Sequence, residues 1–152
     1  MKDNSIIIPP QPRAELGQLL LYLADDVLDC VNDALEQCNI SESKLNLLLI
    51  LASTSTSSTP FKPSVIAKRL GIRRSSVTKQ LIELEKHHFI IRTINEEDQR
   101  MVNVSITSEG CQLLNQAMPL YWQTCTDFSN NLTYEEALQL LVLLKKIKRV
   151  ND

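Results

Sequence analysis

The spacing of apolar residues changes twice along the chain, separating a helical N-terminal part, a short mixed central part and a helical C-terminal part. From residues 14 to 39 one stripe runs Leu16, Leu20, Leu23, Val27, Val31, Ala34 and Cys38, while Leu21, Leu28 and Leu35 recur every seven residues on another side. A helix with two apolar faces needs two packing partners. Asp25, Asp29, Asp33 and Glu36 are left as its solvated face. A second helix then leads into the Ser/Thr-rich run of residues 53–59, expected to be a solvated connector, with a modification site or a β-edge as lesser alternatives.

The central part opens with Val65, Ile66 and Leu70 at helical intervals, a turn residue at Gly71, and then Val77, Leu81 and Leu84, again at helical intervals. Past Leu84 the period falls to two. Val102, Val104 and Ile106 alternate with Asn103 and Ser105, and residues 89–94 are rich in β-branched side chains, so two strands joined by residues 95–100 are expected. Thr107 is placed to cap a further helix with the stripe Cys111, Leu114, Met118, Tyr121, Cys125 and Phe128, in which Pro119 predicts a bend. Thr133 and Glu136 form a capping-box pattern ahead of Ala137, Leu140, Leu141, Leu144 and Ile147. Lys145, Lys146, Lys148 and Arg149 fall in the last turns, where cations complement the helix dipole.

Two short helices followed by a strand pair read as a winged helix-turn-helix, a DNA-binding module. Burying Val77, Leu81 and Leu84 leaves Arg73, Arg74, Ser75, Ser76, Lys79, Gln80 and Glu83 mostly on the other faces of the second helix. The net charge of −2 argues mildly against nucleic acid, but its distribution reverses that. Residues 61–101 hold nine Lys or Arg against five acids, whereas residues 1–60 hold three against eight. A length of 152 residues with 43% hydrophobic content suits one domain, 1–152. Three isoleucines before Pro9 and Pro10 are too short for a signal or membrane segment, so a cytoplasmic protein is expected.

The central run resembles the MarR family of bacterial transcription regulators. The residues that carry the resemblance are Arg92 at the end of the first strand, Asp98-Gln99-Arg100 in the tip, and Ile106-Thr107-Ser108-Glu109-Gly110 after the second strand. It implies a mainly α fold with a small β-wing: a winged helix-turn-helix over 61–107 flanked by dimerisation helices at 13–40 and 111–150. The surplus apolar faces of the terminal helices point the same way, toward a second copy. A two-fold homodimer predicts a palindromic double-stranded operator with half-sites about 10 bp apart. The resemblance implies a repressor, with activation left open by the residues themselves.

The candidate DNA contacts are Arg73 and Arg74 on guanine edges or phosphates, and Ser75, Ser76, Thr78 and Lys79 on bases or phosphate oxygens, with back-bonding inside the helix as the alternative for Thr78. Arg100 is similar to the family arginine that enters the minor groove. Asp98 would hold its guanidinium, and Arg92 would touch phosphate or share that ion pair. Four positions depart from the family pattern. Arg73 stands where a small capping residue is common, His88 where Gly usually ends the helix, Gln99 where a base is frequent, and Lys62 where Thr often stands.

For regulation the resemblance implies release by a small aromatic or anionic effector, with Arg13, Tyr22 and Trp122 as candidate contacts, or by thiol oxidation. Cys30 and Cys38 lie about 12 Å apart on one helix, too far to bridge directly, and the default for these two, Cys111 and Cys125 is small apolar packing in the helical stripes. No metal or other cofactor is expected, since His87 and His88 are adjacent and no ligand cluster accompanies them. An enzyme is not expected either, because three glycines leave little material for a phosphate loop and no nucleophile motif stands out. A winged helix that binds an acidic protein instead of DNA remains the alternative from another class.

Overall fold

A computed structural model describes residues 11–54, 63–94 and 102–148. Six helices and two strands follow in the order α1 (Pro12–Glu36), α2 (Glu42–Thr54), α3 (Pro63–Leu70), α4 (Arg74–Lys86), β1 (Ile90–Ile94), β2 (Val102–Ile106), α5 (Ser108–Phe128) and α6 (Tyr134–Lys148). The architecture is the expected mainly helical one with a two-stranded antiparallel wing. Ile90 pairs with Ile106, Arg92 with Val104 and Ile94 with Val102.

The centre of the core is α2, a helix with no single apolar stripe. Leu45, Leu47, Leu48 and Leu51 are almost wholly buried, which takes in more than one face of the helix. They form one cluster with Val31 and Leu35 of α1, Ile66 and Ala67 of α3, Val77, Leu81 and Leu84 of α4, Ile90 of β1, and Leu113, Leu114 and Ala117 of α5. A helix buried on several sides carries no amphipathic period, so its pattern is uninformative even though its burial is the deepest in the chain. The seven-residue stripe of α1 is split: Leu35 lies in the core, where the C-terminal part of α1 packs against α5 and α2, whereas Leu21 and Leu28 are exposed.

Two helix starts are fixed by named groups. Thr107 accepts a hydrogen bond from Gly110 N–H (3.0 Å) and donates to the His88 carbonyl (2.7 Å), and its own N–H donates to Phe89 O (3.1 Å). This stitches the start of α5 to the turn that enters the wing. Gly110 is required there by space: a Cβ would lie 2.2 Å from Phe89 O and 2.7 Å from the Ile106 side chain. Thr133 and Glu136 form the expected reciprocal box at α6, with Thr133 N–H donating to Glu136 (2.8 Å) and Glu136 N–H to Thr133 Oγ1 (3.3 Å).

The remaining apolar surface is concentrated at the two ends of the chain. No residue of α6 whose burial is described is buried, and Tyr134, Leu138, Leu140, Leu141, Val142, Leu143 and Ile147 are all exposed. α1 likewise exposes Leu16, Leu19, Leu21, Tyr22, Leu23 and Leu28 ahead of its buried Val31, with Asp25, Asp29 and Asp33 also in solvent. No described helix is long and apolar enough to cross a membrane.

Candidate nucleic-acid interface

The α3–α4 turn is closed by backbone bonds at Gly71, which adopts φ +66°. Gly71 N–H donates to Lys68 O (3.3 Å) and Ile72 N–H to Ala67 O (3.0 Å), the Schellman pattern that satisfies the last carbonyls of α3. α4 ends the same way with an unusual residue in the glycine slot. His88, at φ +61°, donates from its N–H to Glu85 O (2.9 Å), and Phe89 N–H donates to Leu84 O (2.9 Å). Histidine bears the left-handed conformation that the sequence departure required of it, at the steric cost of its Cβ.

At its N-terminus α4 carries no side-chain cap. Arg73 occupies the cap position with extended backbone and no capping bond from its side chain, so the first N–H groups of the helix and its positive dipole end stay open beside the Arg73 and Arg74 side chains. Val77, Leu81 and Leu84 face inward as their spacing required. Arg73, Arg74, Ser75, Thr78 and Lys79 are exposed, whereas Ser76 is half-buried and so less open to a partner than Ser75. Thr78 Oγ1 donates to Arg74 O (3.2 Å), which is the intrahelical alternative foreseen for it.

Two side chains expected on the open face have been drawn inward. Gln80 is half-buried and donates from Nε2 to Ser43 Oγ of α2 (2.7 Å), while its Oε1 is buried without a partner among the described residues. Glu83 forms an ion pair with Lys44 of α2 at 2.6 Å. That hydrogen bond and the lysine charge hold the Glu83 carboxyl below the usual carboxylate range. Sequence periodicity could not find Ser43 and Lys44. The one available signal was that Lys44 is the sole base between Arg13 and Lys62.

Arg92 has a partner that its sequence position did not announce. Its guanidinium binds Glu85, with Nε donating at 2.8 Å and Nη2 closing an ion pair, while Asp98 lies outside the described residues. The cause is proximity: Glu85 sits in the last turn of α4 and Arg92 in the middle of the strand that follows the turn, rather than at its end. The bond lowers the Glu85 carboxyl and raises the Arg92 guanidinium from their ordinary values. Both acids of α4 are therefore answered by cations from outside the helix, Lys44 and Arg92. Arg73, Arg74, Lys79 and Lys86 make no ion pair among the described residues. The outward face of α4 is thus more cationic than its own sequence suggests.

Asp98, Gln99 and Arg100 lie outside the described residues, as do Lys62 and most of the Ser/Thr-rich connector. Of the candidate effector contacts, Arg13 is exposed in the first turn of α1, and Tyr22 is exposed with its hydroxyl accepting from Gln18 (3.1 Å). Trp122 is exposed and meets Tyr121 edge-on. Arg13 and Tyr22 stand about 13.5 Å apart along one helix, and no hydrogen bond or ring contact joins either to Trp122 among the described residues. The cysteines split. Cys38 and Cys125 pack against the core as expected, but Cys30 and Cys111 are exposed rather than buried in apolar stripes.

A helix-turn-helix with an open cationic second helix, followed by a two-stranded wing and enclosed between long helices, defines a winged-helix protein. Residues 40–102 match the family model described as MarR family. The chain is 31% identical over 105 residues to the HTH-type transcriptional repressor MdtR of Bacillus subtilis, covering 69% of this chain and 67% of that protein. It is 26% identical over 127 residues to the HTH-type transcriptional repressor YetL of the same organism, covering 80% of this chain and 75% of the relative. Its fold matches a mutant of Escherichia coli MarR crystallised with operator DNA, with a TM-score of 0.76 at 24% identity over 88% of this chain and 93% of that one. The chain belongs to the MarR family, whose members are transcription regulators and not enzymes.

Proposed function

We propose that this protein is a sequence-specific double-stranded DNA-binding repressor that grips a palindromic operator as a homodimer. The observation that carries the reading is the face of α4. Arg73, Arg74, Ser75 and Lys79 are exposed together at an uncapped helix N-terminus, with the helix's two acids neutralised from behind. An open N-terminus flanked by guanidinium groups suits phosphate, and the exposed side chains one turn further in suit base edges. Two relatives are named repressors, and the operator in the matched structure is bound by that protein.

Dimerisation is supported by α6 and α1, whose exposed leucines Leu16, Leu19, Leu21, Leu23, Leu28, Leu138, Leu140, Leu141 and Leu143 are left uncovered among the described residues and amount to far more apolar surface than scattered exposed residues provide. Release by a small aromatic or anionic effector, with Arg13, Tyr22 and Trp122 as contacts, rests on the family resemblance.

The test is selection of duplex from a random pool at near-physiological salt, followed by gel shift with the wild type and Arg73→Ala/Arg74→Ala. Enrichment of a palindrome bound at least tenfold more weakly by the double variant supports the reading. Equal retention of selected and scrambled duplex contradicts it and favours a winged helix that serves a protein partner. Titrating candidate effectors into the wild-type complex tests the release step.

A further inference from the structure

Ile82 is the apolar exception on the open face of α4, being 52% exposed. On a helix of 3.6 residues per turn it lies seven residues after Ser75, four after Thr78, three after Lys79 and four before Lys86, all of them exposed. It stands away from Val77, Leu81 and Leu84, which carry the packing of the helix. The elements that pack on α4, namely α2, α3 and β1, leave it open. Folding offers little reason for it either, since a β-branched residue on a helix surface is a poorer helix former than Lys, Glu or Ala and at 52% exposure gains only part of what burial would give.

Single exposed apolar residues are ordinary on protein surfaces. This one is set apart by its surroundings, an isoleucine between Lys79 one turn before and Lys86 one turn after, neither ion-paired among the described residues, with the neighbouring acid Glu85 held by Arg92. A matching partner must present an anionic rim around an apolar spot. The major groove of duplex DNA does so, with phosphates on both walls and one apolar group among the base edges, the C5 methyl of thymine.

Resting on the DNA-reading role of α4, we propose that Ile82 reads a thymine methyl in the major groove and is a specificity-determining residue of this protein. The geometry also places the base. At 1.5 Å per residue Ile82 lies about 10.5 Å beyond Ser75 along the helix, so the thymine falls about three base-pair steps from the bases met at the helix N-terminus.

The experiment uses the full chain and its selected operator. Each thymine of one half-site is replaced in turn by deoxyuridine, which removes the methyl and leaves every hydrogen-bonding group in place, and affinity is read by fluorescence anisotropy at fixed salt. The wild type is expected to lose about fourfold at one thymine per half-site, the loss for a buried methyl-sized group. Ile82→Ala is expected to bind the uracil operator as the wild type does while showing no response to that methyl. Ile82→Val should retain a partial response.

The same scan for wild type and Ile82→Ala, or no thymine whose methyl matters, overturns the inference. Arg73→Ala on the intact operator separates the two levels: its loss of binding beside an unchanged uracil scan removes Ile82 alone. Failure to select any duplex removes the DNA reading and this inference with it, and points to an acidic protein surface with an apolar pocket.

Discussion

Replacing Gly110 by alanine tests the joint between α5 and the wing. The added Cβ would sit 2.2 Å from Phe89 O, and contacts shorter than 3.0 Å are essentially never seen, so the α5 start and the residue 87–89 turn must separate by at least about 0.8 Å (3.0 minus 2.2). The obstacle is backbone carbonyl and cannot be relieved by a rotamer change. The shift also strains Thr107 N–H to Phe89 O (3.1 Å) and Thr107 Oγ1 to His88 O (2.7 Å). Overpacking of this kind costs about 1–3 kcal/mol and a weakened part-buried hydrogen bond about 1 more. Alanine returns about 1 kcal/mol of helix propensity. The net is a destabilisation of about 1–3 kcal/mol, or about 3–10 °C in Tm at this chain length. Thermal unfolding followed by far-UV circular dichroism, at one fixed protein concentration because association would shift the midpoint, measures it. An alanine variant that melts at or above the wild type would refute the close approach and with it this account of the joint.

Three other outcomes are expected. His88→Gly should raise Tm by about 1–4 °C, because glycine removes a left-handed strain of about 1–2 kcal/mol and gives back about 0.4–1 as backbone entropy in the unfolded chain; a lower Tm in the same melt would contradict it. Glu85 has its folded-state pKa depressed by Arg92, so its contribution is present above the unfolded value of 4.5 and fades as pH falls through the lower folded value. Glu85→Gln should therefore show a shallower loss of stability below that pH than the wild type, and parallel curves in denaturant unfolding across pH would speak against the pair. Arg100→Ala should weaken operator binding by about 1–3 kcal/mol in a fixed-salt anisotropy assay while leaving the oligomeric state in sedimentation unchanged, and wild-type affinity would remove the wing from recognition.

The boundaries of the winged unit were legible because each element there has one buried face. Val77, Leu81 and Leu84 imposed the helical period, Val104 and Ile106 the alternating one, and Gly71 the turn. Thr107 and Thr133 were legible as caps because capping is local in sequence. What could not be read was tertiary in origin. α2 carries core leucines on more than one face and so has no period, and the half-burial of Gln80 depends on Ser43, 37 positions earlier. The ion pairs Lys44–Glu83 and Arg92–Glu85 require knowing which elements touch. These pairs change the candidate site most, since they withdraw Arg92 from the set of free cations and clear two acids from the reading helix. Cys30 was assigned to an apolar stripe on spacing alone, but α1 packs within the chain mainly through its C-terminal half, where Val31 and Leu35 are buried.

The most direct test of the central claim is the stoichiometry and sequence preference of the DNA complex, measured together by sedimentation velocity on a labelled selected duplex with wild type and Val142→Glu. Val142 is 67% exposed on α6, so a charge there leaves the fold of one chain intact while disrupting an apolar seam between two. Two wild-type chains on one palindrome, with Val142→Glu monomeric and at least tenfold weaker on the same duplex, is the predicted result. One wild-type chain per duplex, or equal affinity for palindromic and scrambled sequence, would contradict the account.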